Sequence, residues 1–279
     1  MLIGAPKAGT TTLYGKLRNH PDILLSEPKE PMYFSNPEVY ARGQEWYHSL
    51  FDEALPSQIC GECSTTYMRH PFIEEPNTLN PWPAISALEK TPKFIYAMRH
   101  PADRAFSHYV HHMRYGCTMT FEEAIQQNPI YLDCSRYAMQ MNAFREHMPH
   151  AELLALSFDE VIHNRTGATY SIMKFLGVAP ILPPDPHKSR MNRSDNREFF
   201  SKLMSNFPGW NIARKYISPK LKRNVMEFAM NSRLGRRIAK KTEVQPMKPE
   251  TRRQIIDELE PDIRTAEELI GKELPHWRK

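Results

Sequence analysis

Apolar residues in this chain come in short clusters, and the spacing inside the clusters alternates between runs and a helical period. Met1–Ile3 is a short apolar run, Gly4 and Gly9 bracket a loop, and residues 12–17 carry helical spacing until His20-Pro21 closes them. Residues 58–61, 93–98 and 152–158 read as further strands, with helical patterns at 102–115, 136–147 and 167–176. Strands alternating with helices predict an α/β chain whose parallel sheet is covered by helices. The segment 179–186, rich in proline, reads as a linker, and 249–274 as one amphipathic helix or two, with Ile255, Ile256, Leu259, Ile263, Leu269 and Ile270 on the apolar side.

Composition narrows the class. At 41% hydrophobic and 25% charged residues in 279, the chain supports a packed core and excludes disordered and fibrous classes. No apolar run reaches the ~20 residues of a membrane span, and Met1-Leu2-Ile3 enters a loop with no signal-peptide core. With four cysteines, too few for a disulfide scaffold, this predicts a cytoplasmic protein with free thiols. The formal charge of +5 conceals an asymmetry: residues 1–186 hold 15 Lys and Arg against 20 Asp and Glu, whereas 187–279 hold 22 against 12. A basic second part points to an anionic partner without choosing among nucleic acid, membrane, substrate and cofactor.

Two elements carry chemistry. Gly4-Ala5-Pro6-Lys7-Ala8-Gly9-Thr10-Thr11-Thr12 has the G-x-x-x-x-G half of a Walker A loop but lacks the Lys-Ser/Thr pair after Gly9; its lysine lies inside the loop. Backbone amides at a helix start, the helix dipole and Lys7 make an anion site there. The second element, Arg99 through Tyr109, follows the strand 93–98, with Pro101 fitting a first helical position and Ser107 on the second turn. Strand ends of a parallel sheet share one crevice, so both elements can face one ligand, and a guanidinium with a hydroxyl suits a phosphate monoester. Arg99 and Arg104 also fit surface ion pairs.

These motifs resemble those of sulfotransferases that use 3′-phosphoadenosine 5′-phosphosulfate (PAPS), most closely the heparan sulfate N- and 3-O-sulfotransferase branch and its bacterial relatives. Lys29-Glu30-Pro31-Met32-Tyr33-Phe34, Trp46-Tyr47 and Gly61-Glu62-Cys63-Ser64-Thr65-Thr66-Tyr67 are further landmarks in the same order. The resemblance implies a P-loop-type three-layer fold, a central parallel sheet flanked by helices, in one domain over 1–279: a cofactor and catalytic core at 1–180 and a basic, mainly helical part at 187–279. It implies transfer of a sulfuryl group from PAPS, leaving PAP, to a hydroxyl or amine of a small natural product or glycan, with no metal. It assigns the 5′-phosphosulfate to Lys7, Ala8, Gly9, Thr10, Thr11 and Thr12, the 3′-phosphate to Arg99 and Ser107, and proton abstraction to Glu30, with Lys29 beside it and Glu62 as second candidate. Lys188 and Arg190 stand where relatives place a cofactor-closing loop. Cys63 departs from the lysine that the family carries after this glutamate.

Other readings remain. A P-loop kinase or NTPase fits the glycine loop, although the missing lysine after Gly9 opposes it. A nucleic-acid-binding protein would use the basic stretch 187–241, but no nucleic-acid partner is expected, and the oligomeric state is not legible. Cys60-Gly61-Glu62-Cys63 has no second pair for zinc. His108, His111 and His112 have helical metal spacing without a glutamate partner and read as a helix face, with His108 an outside candidate for the base.

Overall fold

The computed structural model describes residues 1–71, 78–113, 117–181 and 244–279. Among these, the apolar runs become short parallel strands. β1 (Leu2–Gly4), β4 (Phe94–Met98) and β5 (Leu153–Ser157) pair in the order β1-β4-β5, and β2 (Ile23–Leu25) pairs with β3 (Ile59–Gly61). One bridge joins the two ladders: the Leu2 N–H donates to Glu62 O at 2.9 Å, and the Ser64 N–H donates to Leu2 O at 3.1 Å. The spatial order is therefore β2-β3-β1-β4-β5, with β1 between strands that come later in the chain on both sides. β4 is buried along its whole length, which is why its Phe-Ile-Tyr-Ala-Met is continuously apolar. β2 is the strand that the hydrophobic pattern missed, three residues directly after the His20-Pro21 stop.

Two groups of helices flank this sheet. α1 (Thr10–Leu17) packs on β2 and on a helix near the end of the core, here α10 (Arg165–Leu176); between them in the chain lie α2 (Pro37–Tyr40), α3 (Gly43–Ser49), α4 (Trp82–Ser86), α5 (Pro101–Met113), α6 (Phe121–Gln127), α7 (Ile130–Asp133), α8 (Tyr137–His147) and α9 (Phe158–His163). The second group is tied together by α11 (Pro249–Ile270), which packs on both α5 and α8. α11 is one helix and continues through Pro261. Proline there removes a backbone donor and disfavours the helix, but Ile255, Leu259, Ile263 and Ala266 hold the apolar side at 2% exposure or less, and burial at ~1.5–3 kcal/mol per large side chain outweighs one lost bond. Asp262, next to that proline, accepts from the Ala138 and Met139 amides at 3.0 and 2.9 Å, so α11 caps the start of α8. Trp277, fully buried against Tyr137 at 5.2 Å, extends the same attachment.

Candidate active site

The loop between β1 and α1 puts its polar groups at the carboxyl edge of the sheet. Gly9 is the N-cap, at φ 85°, with no side-chain cap on the helix. A Cβ there would lie 3.2 Å from Phe158 and 3.3 Å from Val161, so both the left-handed backbone and the tight contact with α9 favour glycine. Lys7 is also left-handed, at φ 69°. The amides of Gly9, Thr10 and Thr11 head the helix, where no intrahelical acceptor exists. Ala8 differs from its neighbours: it is buried, its amide donates within the loop to Ala5 O at 3.2 Å, and it does not line the cleft.

That cleft, about 960 Å³, is lined by Lys7, Gly9, Thr10, Thr11 and Thr12 together with Lys29, Glu30, Arg99 and Ser107. The structure thus brings to one cavity residues up to 100 positions apart. Lys29 Nζ donates to Glu30 Oε1 at 2.7 Å and to Thr11 Oγ1 at 3.2 Å, linking the carboxylate to the phosphate-type loop. Thr65 Oγ1 donates to the other oxygen, Glu30 Oε2, at 3.1 Å.

Glu62 has a different part. It is 2% exposed, accepts from Tyr47 and Tyr67 hydroxyls at 2.9 Å each and from Ser64 Oγ at 2.6 Å, and does not line the cleft. Burial raises its pKa, against the lowering effect of those hydrogen bonds. Ser64 Oγ also accepts from the Met32 amide at 3.0 Å, and Tyr33 stacks on Tyr47 at 4.6 Å. The three landmark segments therefore converge on Glu62, which holds the Glu30 loop in place and is not placed to take a proton in the cleft. Cys63 is buried at 1%, its thiol pushed up to about 12, chiefly by burial. The cation near Glu30 is Lys29, not a side chain from position 63.

On the other side of the sheet edge, Arg99 ends β4. Its guanidinium lies 4.7 Å over the Phe158 ring and donates to Lys7 O at 3.4 Å, connecting the two anion elements. Burial lowers its pKa, and neighbouring Asp103 acts in the opposite direction. Asp103 is the second carboxylate in a mainly cationic cleft, and its partner comes from α11: Arg252 Nη1 donates to Oδ1 at 2.5 Å. Burial would raise the Asp103 pKa, but the hydrogen bond and charge of Arg252, with His100 and Arg99, hold it below its ordinary value. Both acids lining the cleft, Glu30 and Asp103, are thus paired with cations, while Lys7, Lys29, Arg69 and Arg99 supply four positive charges to the lining.

Arg104 is not a surface residue: it is fully buried. His108, His111 and His112 line the cleft. Among the described residues no group of three or more His, Cys, Asp or Glu is arranged to hold a metal ion. All four cysteines are free, Cys60 and Cys63 included. Lys188 and Arg190 lie outside the described residues. Sequence reasoning missed Asp103, Arg69 and Phe158 as cleft residues; of these only Asp103, within the Arg99–Tyr109 element, stood near a signal.

A parallel sheet whose first loop and β4 edge share one crevice is the architecture of a doubly wound α/β protein, in which that edge is where ligands bind. The chain matches the model of the sulfotransferase domain family over residues 1–243, and it belongs to that family. It is 28% identical over 205 residues to human bifunctional heparan sulfate N-deacetylase/N-sulfotransferase 2, and 29% identical over 192 residues to human heparan sulfate glucosamine 3-O-sulfotransferase 3B1. Each match covers 65% of this chain, but 22% of the first relative and 46% of the second, so the chain spans less than half the length of either. The crystal structure of a sulfotransferase from Alicyclobacillus acidocaldarius superposes with a TM-score of 0.68, covering 100% of this chain and 97% of that one at 21% identity, and shares its fold.

Proposed function

We propose that the chain is a PAPS-dependent sulfotransferase acting on a hydroxyl or amine of a small natural product or glycan. The observation that carries this reading is the meeting of two anion sites, Lys7 with the α1 amides and Arg99 with Ser107, in one cleft that also holds Glu30. The donor set fits a ligand with phosphate-type groups at two ends: amides without intrahelical acceptors, and cations in excess over paired acids.

When bound, PAPS supplies an activated sulfuryl group on a phosphate leaving group. Lys7 and the Gly9, Thr10 and Thr11 amides neutralise charge at the 5′ end, and Arg99 and Ser107 hold the 3′-phosphate. Glu30 takes the proton from the acceptor hydroxyl or ammonium, freeing the lone pair that forms the new bond to sulfur as the bond to the leaving phosphate breaks. Lys29 orients Glu30 through its 2.7 Å contact and ties it to Thr11. None of these roles calls on a metal. The kinase alternative is disfavoured by family membership and by Thr10 standing where a Walker A lysine belongs. The nucleic-acid reading rested on 187–241, all of which lies outside the described residues.

We read the chain as one domain, 1–279, with α11 packed on the core. No described helix is long and apolar enough to cross a membrane, and four free cysteines favour a reducing, cytoplasmic setting.

Thermal melts with PAP, Mg-ATP and no ligand test the cofactor. PAP at about 100 times its Kd is expected to raise Tm by ~5 °C or more, and a larger shift with Mg-ATP would overturn the reading. Arg252→Ala leaves Asp103 without its partner beside Arg99, so PAP affinity measured by calorimetry is expected to fall about five- to tenfold, roughly 1 kcal/mol. Unchanged affinity would remove Arg252 from the anion site.

A further inference from the structure

An α-helix turns ~100° per residue, so Ser107 and His108 leave α5 in different directions. Ser107 shares a side with Asp103, Phe106 and Val110, and His108 with His111 and His112; all line the cleft. His108 is 6% exposed, and its Nδ1 lies 3.3 Å from Arg104 Nη1. A guanidinium has donors and no acceptor, so Nδ1 must accept in this bond and carries no proton. The neutral ring then has its single proton on Nε2, for which no protein partner exists among the described residues.

Arg104 is anchored independently of the histidine. Its Nε donates to Ser135 Oγ at 2.5 Å, which donates in turn to Pro101 O at 3.0 Å, and its Nη2 donates to the Tyr131 carbonyl. No carboxylate takes part, so the positive charge stays beside the imidazole. The ionisable groups around the ring are Arg104, His111 and His112 of α5, Arg69 from the segment before α4, and Tyr131 of α7, and none is a carboxylic acid. Burial first, and then these cations and imidazoles, hold the His108 pKa well below its ordinary value.

We propose that His108 is a fixed N–H donor to the acceptor molecule: Arg104 locks the ring as the Nε2–H tautomer, and Nε2–H binds a lone-pair oxygen of the acceptor on the Arg69 side of the cleft. This rests on the sulfotransferase reading of the cleft. It also withdraws His108 as a base, since neither ring nitrogen retains a lone pair for a proton: one is engaged by Arg104 and the other is protonated. Arg104 is the positioning residue.

Nitrogen-15 histidine spectra of the full chain, assigned by loss of the His108 signals in His108→Gln, read the tautomer directly. The expected result is a neutral Nε2–H ring from pH 5.5 to 8. An Nδ1–H ring, or one that titrates in this range, overturns the proposal. Arg104→Lys is expected to let both tautomers appear; should that variant not fold, the wild-type spectrum decides alone. With glucosamine, de-N-sulfated heparin and 2-naphthol as trial acceptors, His108→Phe is expected to raise the acceptor KM about tenfold without altering PAP affinity. His108→Gln, whose amide can donate from the Nε2 position, is expected to recover several-fold of that loss, and a Gln variant as poor as Phe overturns the donor role. If none of the three is turned over, the spectrum remains the deciding measurement. Failure of the wild-type chain to bind PAP would sink the underlying sulfotransferase reading, an outcome the histidine spectrum does not depend on.

Discussion

Lys7→Ala is expected to lower kcat by about 10²–10³-fold while the fold is kept, as for loss of one well-placed donor at a developing charge. In sulfuryl transfer the charge that grows most is on the leaving phosphate, and Lys7 lies in the loop that would hold it, beside the amides of Gly9, Thr10 and Thr11. Because that charge is larger in the transition state than in the bound donor, kcat should fall more than PAP affinity. Alanine tolerates the φ of 69° no worse than lysine, so no new backbone strain enters. Circular-dichroism melts, PAP calorimetry and steady-state kinetics separate these effects. A kcat within tenfold of wild type would show that the leaving group is stabilised elsewhere, whereas a kcat loss matched by an equal loss of PAP affinity would make Lys7 a ground-state contact.

Lys7 and Arg99 were legible because each sits in a local pattern: a glycine-bracketed loop after an apolar run, and an arginine at the end of a continuously apolar strand. β4 was visible for the same reason, since burial on both faces writes itself as an uninterrupted run, and β5, half-buried over its first three residues, carries a similar apolar run. β2 was not, because Ile-Leu-Leu after a helix stop has no period to detect. What could not be read at all were pairings across the chain. Arg252 meets Asp103 149 positions away, and nothing near either residue announces the other. Glu62 shows the same limit from another side. As a carboxylate in a family landmark it was a fair candidate for the base, and only the convergence of Tyr47, Ser64 and Tyr67 on its two oxygens makes it an internal brace. Arg104, which looked suited to a surface ion pair, is wholly buried for a comparable reason: its partners are a carbonyl, a hydroxyl and a histidine, which no charge pattern reveals.

With Glu62 engaged, Asp103 paired with Arg252 and His108 held by Arg104, Glu30 is the carboxylate we propose as the proton acceptor, and Glu30→Gln is expected to lower kcat by about 10²–10⁴-fold. Glutamine keeps the size and the amide oxygen can still accept from Thr65 Oγ1, now 3.1 Å from Oε2, or from Lys29 Nζ, now 2.7 Å from Oε1, so the loop has no reason to move. What is lost is the basic oxygen and one negative charge. The second loss has a sign that can be checked: Lys29 is freed from its ion pair while still lining the cleft, which makes the cavity more attractive to anions. PAP should therefore bind to Glu30→Gln as tightly as to wild type or slightly more tightly, while turnover collapses. That divergence distinguishes a base from a brace, because a residue acting only through structure would weaken both. Formate or acetate added to the variant supplies a mobile carboxylate and is expected to restore part of the rate. Normal turnover in Glu30→Gln would remove it as the base, and parallel loss of PAP binding would assign Glu30 to holding the loop.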